Sequence, residues 1–80
     1  MLRETPDDDA WIHAHSKVIG ARIHDRRIEL NVTQEALYLA AGIDRRTLQN
    51  LESGQLGNPT LATLMRIARA LGTSLSELIG

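Results

Sequence analysis

The sequence contains no cysteine. That absence excludes a disulfide scaffold, a thiolate zinc site and a cysteine nucleophile. Aromatic residues are nearly missing too: there is one tryptophan, one tyrosine and no phenylalanine. No apolar run approaches the roughly 18 residues that a membrane-spanning helix needs. The N-terminus is acidic rather than signal-like. A small domain without covalent staples must rely on well-packed elements, and a hydrophobic fraction of 42% is enough to support them. The expectation is a soluble cytoplasmic protein with one modest core in its 80 residues.

An excess of positive charge is also lacking, since the formal net charge is −1. The charge is unevenly placed, however. Residues 1–15 carry Arg3 against Glu4, Asp7, Asp8 and Asp9, whereas residues 16–52 hold six bases and five acids, and residues 53–80 hold two bases and one acid. The body of the chain is therefore slightly basic, and binding depends on the charge of one face rather than on the total. Residues 1–15, with Pro6 and three aspartates, read as a partly disordered acidic arm whose ordinary role is solubility. Trp11 and Ile12 are candidates to anchor that arm to the domain at 16–80.

From there the pattern is helical throughout. Ser16 is a candidate N-cap for a first helix with Ile19, Ile23 and Leu30 on its apolar side, and Asn31 is a plausible left-handed terminator. Thr33 caps a short second helix, Glu35 suits its first turn, and Gly42 ends it. Asp44 caps a third helix to about Ser53, with Leu48 and Leu51 inward and Arg45, Arg46, Gln49 and Asn50 outward. Gly54 and Gly57 mark a loop. Leu61, Leu64, Met65, Ala68 and Leu71 give a fourth helix its inward repeat, closed by Gly72. Ser74 with Glu77 forms a capping box for a fifth. There is no strand pattern, no repeat and no second domain.

A helix, a glycine-containing turn and a second helix with a polar outer face describe a helix-turn-helix. The stretches "TQEAL", "AAGIDRRTLQNLESG", "NPTLATLMRIARALG" and "SLSELI" occur together at matching spacing. Over residues 19–79 the chain resembles the lambda-repressor-like (Cro/C1-type, XRE family) helix-turn-helix domains. The compact size and the "DR" opening of the third helix also resemble the restriction–modification controller proteins, a subgroup of stand-alone regulators. The resemblance implies an all-α, five-helix DNA-binding domain with a short N-terminal arm. It also implies a homodimeric transcriptional regulator that is cytoplasmic and nucleoid-associated and uses a pseudo-palindromic operator.

By position, the resemblance places Thr33 and Gln34 at a phosphate, and Arg45, Arg46 and Asn50 at base edges. Thr47 and Gln49 fall near the backbone or groove rim, and Gln55, Asn58 and Thr60 in a phosphate-binding loop. It pairs Arg27 with Glu52 in a partly buried salt bridge and suggests a dimer interface around Leu75, Leu78 and Ile79, residues that serve equally well as monomer core. The chemistry agrees: arginine donates twice to guanine, asparagine pairs with adenine, and a helix N-terminus suits a phosphate. His13 and His15 stand too close in sequence to share a helix face, and no metal or cofactor is expected. No catalytic set is present, so an enzyme is not expected.

Two positions depart from the family. Tyr38 stands where alanine is usual and must tilt outward or spread the helix pair. Leu39 is apolar where a charge is common. Residues 36–41 are thus apolar almost all round, so a cover is expected, either Trp11 and Ile12 or a partner protein. The rival function is accordingly an antitoxin or adaptor that uses the same fold to hold a protein. Arg26 is expected to lay its stem along the core and keep its head in water.

Overall fold

The structure, a computed structural model, describes residues 2–5, 9–55 and 59–80. Five helices follow in order: α1 (Ala10–Glu29), α2 (Gln34–Ala41), α3 (Arg45–Glu52), α4 (Leu61–Ala70) and α5 (Leu75–Ile79). No strand occurs among the described residues.

α1 begins at Ala10, not at Ser16, so residues 10–15, expected in the arm, are helical. Ser16 sits inside the helix, and its hydroxyl bonds back to the Ile12 carbonyl at 3.0 Å. Serine competes for nearby backbone groups in either setting, so its identity alone does not mark a boundary. No proline lies between Pro6 and Pro59, and alanines at 10 and 14 favour extension.

α1, α2 and α4 end with the same device. Asn31, Gly42 and Gly72 each adopt positive φ, at 56°, 70° and 67°. The amide that follows each one bonds five residues back: Val32 to Arg27, Ile43 to Tyr38, and Thr73 to Ala68, at 3.0–3.1 Å. This Schellman arrangement satisfies carbonyls that the helix would leave open and turns the chain sharply. Thr33, Thr60 and Ser74 cap α2, α4 and α5 by accepting from the amides of Ala36, Thr63 and Glu77. The capping box at Ser74 is one-sided, since the Glu77 carboxylate takes the Thr73 hydroxyl instead.

Every helix contributes to the core. Ile23, Leu37, Leu48 and Ile67 are fully enclosed and Leu78 nearly so. Full burial of each such side chain is worth roughly 1.5–3 kcal/mol. On α4 the inward stripe differs from the expected one: Ile67, Ala68 and Leu71 are buried, whereas Leu61 and Met65 are 63% and 53% exposed. Two overlapping stripes share the helical period here, and only the neighbours decide which one faces in.

α1 and α3 meet at Gly20. A Cβ at this position would stand 1.9 Å from the Leu51 carbonyl oxygen. Only a residue without a side chain lets the two backbones approach this closely, and the approach fixes the C-terminal end of α3 against α1.

Candidate nucleic-acid interface

The α2–α3 pair has helix-turn-helix geometry. Gly42 turns the chain, and its carbonyl accepts from the Arg66 guanidinium on α4 at 3.5 Å. α3 then turns Leu48 and Leu51 into the core and leaves Arg45, Arg46 and Gln49 exposed, with Thr47 and Asn50 half-buried. Asp44 occupies the N-cap position without bonding a backbone amide. Its carboxylate instead takes the Thr47 hydroxyl, so Thr47 is already engaged. Neither Arg45 nor Arg46 forms an ion pair with any described residue.

An open cleft of about 330 Å³ joins the start of α2 to the outer face of α3, lined by Thr33, Gln34, Glu35, Tyr38, Arg45 and Gln49. Tyr38 is half-buried against the core and tilts into this cleft. The cleft is mixed in charge, because Glu35 lines it as well as Arg45. Thr33 and Thr60 use a lone pair for capping; the Thr33 hydroxyl keeps its proton to donate, whereas the Thr60 hydroxyl also meets that of Thr63 at 3.0 Å. Gln55 is exposed beside Gly54, and Asn58 lies outside the described residues.

Behind this face lies a buried charged cluster. The Arg27 guanidinium meets the Glu52 carboxylate through two bonds, Nε to Oε2 at 2.9 Å and Nη2 to Oε1 at 2.8 Å. Its third nitrogen, Nη1, donates to the Val32 carbonyl at 2.9 Å. His24 Nδ1 lies 2.9 Å from Glu52 Oε1 and Gln34 Nε2 donates to the same oxygen at 3.4 Å. The shorter His24 contact requires a proton on Nδ1, which then cannot accept from Arg27 Nη2 at 3.3 Å. Burial pushes the Glu52 carboxyl upward, but the hydrogen bonds from Arg27, His24 and Gln34 and the nearby cationic charge outweigh it and hold the carboxyl below its ordinary value. The bond to Glu52 outweighs burial at Arg27 and raises that group. The cluster ties the end of α1, the α1–α2 turn, the start of α2 and the end of α3 into one unit. It therefore sets where the outer face of α3 stands relative to Gln34.

Four expectations need correction or completion. Leu78 is 2% exposed and belongs to the monomer core, which leaves Ile79, 45% exposed, and half-buried Leu75 on α5. Leu39 stays 67% exposed, so neither Trp11 nor Ile12 covers it. Trp11 lies on α1 with its ring edge toward His15, the centroids 6.2 Å apart. Arg26 extends to Glu29 at 3.4 Å, with its Nε buried and without a bond. Sequence reasoning overlooked two roles: His24, whose side chain is 48% exposed and still reaches Glu52, and Gly20, an isolated glycine in a helix, which was itself the available signal. Among the described residues no group of histidine and carboxylate side chains is placed to hold a metal ion.

Comparison with known proteins follows the same outline. A family model described as helix-turn-helix matches residues 23–78. The chain is 38% identical over 63 residues to an uncharacterized helix-turn-helix-type transcriptional regulator of Sinorhizobium fredii, covering 79% of this chain and 80% of the relative. It is 46% identical over 50 residues to another uncharacterized regulator of this type, from Methanothermobacter thermautotrophicus, covering 62% of this chain and 71% of that one. In structure it superposes on the restriction–modification controller protein C.AhdI of Aeromonas hydrophila with a TM-score of 0.75 and 29% identity, covering 81% of this chain and 97% of that one.

Proposed function

Because this chain belongs to the helix-turn-helix family of DNA-binding transcriptional regulators, we propose that it reads a specific duplex site with α3 in the major groove and α2 across the backbone. One observation carries this reading: Arg45, Arg46 and Gln49 share an exposed arc on α3, and neither arginine is paired within the chain. Arg45 and Gln49 stand one helical turn apart, roughly 6 Å, which spans about two base-pair steps. Arg45 is assigned to guanine O6 and N7. Arg46 takes a base or the flanking phosphate, and half-buried Asn50 approaches a base from deeper in the groove. Thr33, Gln34, Gln55, Asn58 and Thr60 hold phosphates on either side, while Thr47 and Gln49 line the rim.

The carboxylates of Glu35 and Asp44 repel phosphate and so disfavour misplaced docking of the α3 N-terminus on the backbone. One such helix reads few base pairs, and a homodimer doubles the contact on a pseudo-palindromic operator with half-sites about 34–36 Å apart. Leu75 and Ile79 of α5 form the dimer contact. Binding a duplex operator would place the protein in the cytoplasm at the nucleoid.

Selection of bound duplexes from a random pool tests the reading, because it reports sequence preference and half-site spacing together. Arg45→Ala relaxes preference at one base pair by roughly 1–3 kcal/mol. Binding without a preferred sequence, or without loss of affinity as salt rises, refutes the proposal.

A further inference from the structure

α1 carries a second apolar stripe that the fold does not use. Its inner face supplies Ile19, Gly20, Ile23 and Arg27 to the interior. On the opposite face, positions 11, 14, 18, 21, 25 and 28 alternate in steps of three and four. They hold Trp11, Ala14, Val18, Ala21, Asp25 and Ile28, and all six are exposed. Trp11, Val18 and Ile28 are 44%, 47% and 56% exposed. Three- and four-residue steps maintained along a 20-residue helix mark the seam by which one helix packs along another. Scattered apolar residues on a surface need no explanation, but this is a continuous seam opposite the core, and only at Trp11 does another described segment, Arg3–Thr5, border it in a shared cleft.

The flanks say what kind of helix fits. Midway along the seam, Lys17 stands on one side and Arg22 on the other. The Lys17 stem lies along Gly54, two residues beyond the end of α3. Arg22 donates to the Leu78 carbonyl at 3.1 Å, a bond that fixes its direction without neutralising it. A second copy of α1 answers neither cation. A parallel pair sets Asp25 against Asp25 and Lys17 against Arg22, whereas an antiparallel pair brings Arg22 beside His15 and Lys17 beside His24. Within α1 the acid beside the flanks, Glu29, is engaged by Arg26, and Glu4 of the N-terminal segment lies beside Trp11 at the far end of the seam.

We propose that the outer face of α1 docks an amphipathic helix of a partner protein, one whose apolar seam is flanked by carboxylates and carries a single basic residue opposite Asp25. The seam faces away from the interior that holds α3, so the partner and DNA bind together. This surface is separate from the exposed Leu39 on α2.

Trp11, the only tryptophan, reports the test directly. The probe is a synthetic heptad peptide with leucine on its seam, glutamate on both flanks and one seam lysine. The control carries lysine on the flanks. Titration into the intact protein shifts Trp11 emission to the blue, with the acidic peptide binding about 10-fold or more tightly than the basic one. Val18→Asp abolishes the shift while circular dichroism and DNA affinity stay as in wild type. Asp25→Lys loses the peptide and regains it when the peptide's seam lysine becomes glutamate. Equal binding of the two peptides, binding of neither, or self-association of the wild type that Val18→Asp removes each overturns the proposal.

Discussion

Replacing Glu52 with glutamine isolates the contribution of the buried cluster. The substitution keeps the volume and one acceptor but removes the charge, and it turns an amide N–H₂ toward a guanidinium that has only donors. The Arg27 side chain is 11% exposed and that of Glu52 5%, so water cannot take over the lost partner. Removing one member of a buried pair costs roughly 3–5 kcal/mol. An 80-residue domain has a total stability of about 4–12 kcal/mol, so the variant loses a large share of it. With roughly 4–8 °C per kcal/mol for a domain of this size, the midpoint falls by on the order of 12–40 °C.

The effect has a defined pH dependence. The folded-state Glu52 carboxyl lies below its ordinary value, so its contribution is fully present above the unfolded value of about 4.3 and fades as pH falls through the folded one. Urea denaturation followed at the helical circular dichroism band, at neutral pH and at successively lower pH, measures both features. The gap between wild type and Glu52→Gln is several kcal/mol at neutral pH and closes in acid below about pH 4. A gap under about 1 kcal/mol at neutral pH, or one that does not change with pH, refutes the assignment. Arg27→Met combined with Glu52→Leu recovers most of the loss, since a packed apolar pair replaces a buried ion pair at little cost.

Gly20→Ala gains about 1 kcal/mol of helix propensity but places a methyl 1.9 Å from the Leu51 carbonyl. We expect net destabilisation of roughly 1–3 kcal/mol in denaturant melts and weaker DNA binding, because α3 is displaced. Equal or higher stability argues against the close approach. Leu78→Ala lowers stability by about 2–5 kcal/mol independently of protein concentration, whereas Ile79→Ala, at the proposed dimer contact, mainly weakens self-association in sedimentation equilibrium. The opposite pattern would return Leu78 to the interface.

Much of the fold was legible because its signals are local. Thr33, Thr60 and Ser74 cap through a hydroxyl and an amide three residues on, and Gly42 and Gly72 end helices by tolerating positive φ. These interactions need only neighbouring residues, so the order of helices α2 to α5 follows from the text of the chain. The start of α1 was not legible, because Ser16 reads as a cap or as an interior residue with equal chemistry and the choice depends on whether Ala10–His15 continue the helix. The stripe on α4 was ambiguous for a related reason. Leu61, Met65 and Ala68 follow in steps of four and three and Leu64, Ile67 and Leu71 in steps of three and four, and periodicity gives an angle without an origin.

At the proposed interface the division is similar. The sequence alone determined the residue types: two adjacent arginines after a glycine turn, with Leu48 and Leu51 to anchor their helix. Tertiary structure decided what surrounds them. It set Gln34 and His24 on the Glu52 carboxylate, brought Gly20 against Leu51, took Leu78 into the core and left Trp11, Val18 and Ile28 outside. Capping and turning are contacts within a few residues, which the chain states directly. Burial and pairing depend on the angle at which one helix meets another, and that angle exists only once all five have packed.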